Sequence, residues 1–92
     1  MDYSKLSDWE ISVLVGEAQG LANKIAAQNG MRDYCKKPAD AWPIVESNLI
    51  RMTPIAHSGE VIWVASRDIH AHCNAKPFRA AMIVFLMMQE QK

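Results

Sequence analysis

The residues best suited to chemistry in this chain are two histidines and two cysteines. His70, His72 and Cys73 lie close together, and Cys35 is distant in sequence. Zinc takes four nitrogen or sulfur ligands in a tetrahedron, and two cysteines with two histidines is one of its sets. In an extended segment His70 and His72 project to the same side, so both imidazoles would face one ion. The spacing is not that of a zinc finger, however, and neither cysteine belongs to a Cys-x-x-Cys pair. Cys35, His70, His72 and Cys73 are therefore weak metal candidates, set against solvated loop residues and a half-buried thiol, and no cofactor is expected. Nucleophilic catalysis would need one of the cysteines beside a histidine that a third group orients, and the sequence offers no such constellation. Phosphate-loop, Gly-x-Gly-x-x-Gly, His-Glu-x-x-His and Gly-x-Ser-x-Gly motifs are all missing. No catalytic residue is assigned, and a non-catalytic protein is expected.

Binding chemistry is better represented. If the loop at 33–40 packs over the helix that follows, Tyr34, Asp40 and Trp42 form an aromatic and acidic patch, and Tyr and Trp are favoured interface anchors. In the competing reading Trp42 belongs to the core and Asp40 only caps the helix; Trp9 and Trp63 are expected in the core on the same logic. Lys36, Lys37, Arg51, Arg67, Lys76 and Arg79 would make a basic face only if the fold gathered them. Lys plus Arg is 10 and Asp plus Glu is 10, so the chain has no net charge and no overall cationic field to draw nucleic acid. Another protein is the expected partner, with nucleic-acid binding as the alternative.

Ninety-two residues, half of them hydrophobic and 22% charged, predict one globular domain over 1–92. Met1 to Lys5 carries no basic stretch ahead of an apolar one, so a cytoplasmic protein with reduced thiols is expected. Ser7-Asp8-Trp9-Glu10 is a capping box with Leu6 and Ile11 placed as a hydrophobic staple. It opens a helix over 8–19 with Gly20 after its end; Gly16, inside it, suits a close approach to another element. Residues 21–28 read either as a second helical stretch or as part of a short strand pair turning at Asn29-Gly30, with loop from Met31 to Lys37. A helix at about 41–48 starts at an Asp40 cap, because a start at Pro38 would leave Pro43 in the interior. Residues 49–55 and 60–66 read as strands joined by Ala56-His57-Ser58-Gly59, the first an edge strand because of Pro54. Arg67 to Ala75 reads as a polar connection.

Ala80 to Met88 is nine consecutive apolar residues, too few for a bilayer, which needs about 20. They predict a buried helix from Pro77 to about Gln89, capped by Asn74 or Lys76. Phe78, Ala81, Met82 and Phe85 share one face; Ala80, Ile83, Val84 and Met87 share a second. Either the rest of the chain wraps both faces, or the second is a contact surface in which Ile83, Met87 and Met88 meet a partner or a second copy in a homodimer. The expected architecture is α+β: a small antiparallel hairpin or sheet packed against about three helices, with the C-terminal helix central.

Three stretches carry a likeness: Met1 to Ile11, Cys35 to Ile44 with its Pro-Ala-Asp-Ala-Trp-Pro-Ile run, and Phe78 to Met88 with its Ala-Ala-Met. Together they resemble the NinX-like proteins of lambdoid phages and prophages, over about two-thirds of the chain. The resemblance implies a phage origin, the host cytoplasm, and a small accessory protein encoded between replication and late-control functions. The expected protein partner is then one of the host or of the phage. The resemblance brings no catalytic residue and no mechanism.

Overall fold

The computed structural model describes residues 2–90. After a 3-10 turn at Tyr3–Lys5 come α1 (Asp8–Gln19), α2 (Leu21–Gln28), α3 (Pro38–Ser47), β1 (Arg51–His57), β2 (Glu60–Arg67), β3 (His70–Asn74) and α4 (Pro77–Glu90). The three strands form one antiparallel sheet in the order β1-β2-β3.

Local signals place α1 where the sequence puts it. Ser7 Oγ accepts the Glu10 N–H at 3.1 Å, and Glu10 Oε1 accepts the Ser7 N–H at 3.1 Å, so two donors at the helix start are satisfied reciprocally. Gly20, at φ 131°, turns the chain into α2. That settles 21–28 as helix, and Asn29-Gly30 ends it rather than turning a hairpin: Gly30 and Met31 return N–H bonds to Ala27 and Ala26. Gly16 is the point of closest approach, since a Cβ there would lie 2.7 Å from the Asn23 carbonyl oxygen.

The third helix departs from expectation. It begins at Pro38, not after Asp40, and Pro43 is inside it. Pro38 is well placed in the first turn, where its missing N–H breaks nothing. Asp40 is the third helical residue, and its carboxylate reaches back to the preceding loop, taking Arg32 Nη1 at 3.0 Å and the Asp33 N–H at 2.9 Å. Those bonds tie the loop to the first turn and offset part of the ~3 kcal/mol that an interior proline costs. Leu49 is not strand either: at φ 53° it is the left-handed residue that stops the helix, with the Ile50 N–H on the Val45 carbonyl at 3.0 Å.

The hairpin is longer and tighter than expected. Strands run to His57 and restart at Glu60, joined by Ser58 and Gly59, both with positive φ, as a two-residue primed turn requires. Pro54 does lie in an edge strand. The segment read as a polar connection contains β3, which turns back from β2 through Asp68-Ile69 and pairs Ala65 with His72. Its alternation is real but carried by polar and small residues, so it lacks the apolar period that marks a strand.

Every residue of α4 from Arg79 to Leu86 is buried. The helix lies between the sheet, reached through β2 and β3, and the pair α1 and α3. Both of its faces are therefore covered within the chain. Met52 and Ala65 close the core from the sheet side; Ile11, Val15, Ile44 and Val45 close it from the helices.

Candidate functional site

The three residues expected to form an aromatic and acidic patch separate in space. Tyr34 is in the core, 3% exposed, its backbone N–H given to Ser12 Oγ at 3.0 Å. Asp40 is committed to Arg32 and Asp33. Trp42 alone of the three is on the surface, 50% exposed. Its Nε1 donates to Glu46 Oε2 at 3.2 Å, one turn along α3. Ala39, Trp42, Pro43 and Glu46 fall at i, i+3, i+4 and i+7 and are all exposed, while Ala41, Ile44 and Val45 are buried on the opposite side. Helix α3 thus has apolar side chains on both faces, and only one is used by the fold. Trp9 is also at the surface, 54% exposed rather than in the core, its indole N–H directed at the Gln28 carbonyl. Trp63 is half-buried.

The metal candidates are not brought together. His70 and His72 do share a face of β3, as an extended segment demands, and that face is turned to α4. Cys73 points the other way and is exposed; Cys35 is buried, hydrogen-bonded through Sγ to the Asp8 carbonyl. Among the described residues no group of three His, Cys, Asp or Glu side chains is arranged to hold a metal ion. Burial, with the Asp8 charge adding to it, pushes the Cys35 thiol up to about 12, so it stays protonated near neutral pH and is a poor nucleophile.

The histidines instead line a cavity of about 460 Å³ between the N-terminal turn, β3 and the end of α4, with Asp2, Ser4, Ile83 and Met87. Some of its polar groups are committed to structure, and one is not. Asp2 Oδ1 takes the Ser4 N–H at 3.1 Å, and the Tyr3 hydroxyl, lifted to about 12 chiefly by burial, is bonded to Glu90. His72 Nε2 is enclosed without a hydrogen-bond partner. Desolvation, then the nearby Arg79 charge, holds its pKa below the ordinary histidine value against an opposing pull from Asp2. Of the interface candidates, Ile83 is 2% exposed within its own chain, Met87 borders the cavity, and Met88 is half-buried against the core.

The basic candidates do not form one face. Arg79 is buried: its guanidinium binds Asp8 Oδ1 at 2.7 Å and the carbonyls of Leu6 at 2.7 Å and Ser4 at 3.2 Å. Lys76 Nζ takes the other Asp8 oxygen at 3.0 Å. Arg67 pairs with its neighbour Asp68 at 3.5 Å. Arg79 is marked in the sequence as the one charge directly ahead of the Ala80–Met88 apolar run. The exposed stripe of α3 has a signal too: a proline where a helix interior would not choose one.

The family model for bacteriophage P22 NinX matches residues 2–89. This chain belongs to the NinX family. Comparison with curated proteins and with solved structures gave no match. NinX membership makes it a phage accessory protein, and its α+β fold is built around the helix that the Ala80–Met88 apolar run predicts. Among the described residues no helix of this NinX chain is long and apolar enough to cross a membrane.

Proposed function

We propose that this phage accessory protein is a non-catalytic binding module whose target is another protein, held through the exposed face of α3. The observation that carries the reading is Trp42 half-exposed beside Pro43 inside a helix. Both residues work against stability: an interior proline costs about 3 kcal/mol, and an indole half in water forgoes roughly half of its burial energy. Places where a sequence breaks a local rule without a structural return are expected to be functional. Tryptophan next to a rigid proline turn is a preorganised apolar anchor that loses little entropy on docking.

Glu46 beside Trp42 disfavours the phosphate backbone of a nucleic acid. The commitment of Arg79 and Lys76 to Asp8 removes two cations from that alternative. A catalytic role has little support: Cys35 is buried, and Cys73 is on the opposite side of the sheet from both imidazoles. The test is capture from infected-host lysate by the wild type and by Trp42→Ala, with and without nuclease. A protein should be retained by the wild type regardless of nuclease and lost with Trp42→Ala, whose melting temperature should stay within a few degrees of wild type. Recovery that vanishes with nuclease would instead establish the nucleic-acid alternative.

A further inference from the structure

The outer face of the sheet has no cover among the described residues. Helix α4 packs on the inner side, where Met52, Ala65 and His72 align across the three strands. By the pleat, Thr53, Ile55, Ile62, Val64, Ala71 and Cys73 project outward, and Ile55 is 48% exposed. This apolar field has one charge at each end. Arg51, at the start of β1, and Glu60, at the start of β2, are on the same outer face at opposite ends of the paired strands, both exposed. Neither has an ion-pair partner among the described residues.

We propose that this face docks on the same face of a second copy of the chain. The charges choose the symmetry. A twofold axis between the two sheets and across the strands reverses strand direction, so Arg51 of each copy faces Glu60 of the other, one strand spacing of about 4.8 Å to the side. An axis along the strands would set Arg51 against Arg51. Two ion pairs thus flank a central contact of Ile55, Ile62 and Val64, in the aligned packing that twisted sheets adopt. Growth of the sheet edge to edge is the competing arrangement, and β1 resists it: Pro54, midway along the strand, has no N–H to give a neighbour. Strands of seven, eight and five residues present a face roughly 14 Å wide and at most about 23 Å long along the β1–β2 pair. Two such faces, about 320 Å² each in projection, bury roughly 650 Å² before side-chain relief is counted, below the ~1,200 Å² of a standard interface, so the dimer is weak, reversible and concentration-dependent.

Sedimentation equilibrium from micromolar to millimolar concentration tests this. The mass should rise from 10.3 kDa toward twice that value. Ile62→Lys, which changes a partly exposed residue outside the core, should hold the chain at monomer mass with an unchanged circular dichroism spectrum. Arg51→Glu and Glu60→Arg should each weaken the dimer at least tenfold, and the two together in one chain should restore it. A short bis-maleimide should also link two copies through the exposed Cys73, and Cys73→Ser should abolish the link. A wild type at monomer mass throughout, single reversals without effect, or a double reversal that fails to recover association would each overturn the proposal. Trp42→Ala should dimerise as wild type does, which keeps this result separate from the α3 binding surface.

Discussion

Arg79 is the residue on which the two ends of the described chain depend. Its guanidinium satisfies a carboxylate and two carbonyls more than seventy positions away in sequence, and it is 9% exposed. Arg79→Met would leave Asp8 with Lys76 alone and take the charged donor from the Leu6 and Ser4 carbonyls, so a loss of about 2 kcal/mol is expected from denaturant unfolding. Two pH windows follow from the groups beside it. Burial alone would raise the Asp8 pKa, but hydrogen bonds from Lys76 and Arg79 outweigh it and hold the value below that of a free aspartate. A depressed carboxylate contributes stability above its unfolded pKa of about 3.9 and loses it as pH falls through the folded value. The wild type should therefore weaken below about pH 4, and Arg79→Met less steeply. His72 acts from neutral pH downward. Because its folded pKa is lowered, the unfolded chain binds the proton first, and stability declines as pH falls below about 6.5; His72→Gln should remove that upper slope. Sequence alone counts Arg79 among the cations that the fold could gather into a basic face, because charge is visible in a sequence and the carbonyls that bury it are not.

Among the elements, legibility follows the range of the determining interactions. Helix α1 is readable because Ser7 and Glu10 cap it within one turn. Strand β3 is not, because His-Ala-His-Cys-Asn becomes a strand only through its pairing with β2. The start of α3 is hidden for a related reason: the rule against interior proline is local, and the Asp40 bonds to Arg32 and Asp33 that help override it come from the preceding loop. Trp42 stands out in the sequence, but its exposure and the stripe around it depend on where that helix begins. Gly16 is legible as a point of close packing, and a test belongs there. Gly16→Ala gains about 1 kcal/mol of helix propensity, yet its Cβ would meet backbone of α2 at 2.7–3.1 Å. Backbone cannot rotate away as a side chain can, so a net destabilisation of about 1–2 kcal/mol is expected, seen as a lower urea midpoint with α2 amides losing exchange protection first.

For the whole molecule, the composition describes an ordinary globular chain, and the unbroken apolar run locates its centre. What the run does not disclose is that both faces of α4 are covered by its own chain, which is why the proposed contact surfaces lie on the outer sheet and on α3. The centrality of α4 also has a consequence for synthesis. The helix that supplies the middle of the core is the last element of this domain to leave the ribosome, and the Arg79 clasp that locks the N-terminal turn arrives with it. Until then α1, α2, α3 and the sheet emerge with their inner faces uncovered, so the domain completes its fold after translation of the segment rather than progressively along it. A nascent chain stalled at residue 76 should be cut by protease at low dose. One extended past residue 90 by a linker long enough to clear the exit tunnel should resist, a difference that arrested-chain proteolysis reads directly.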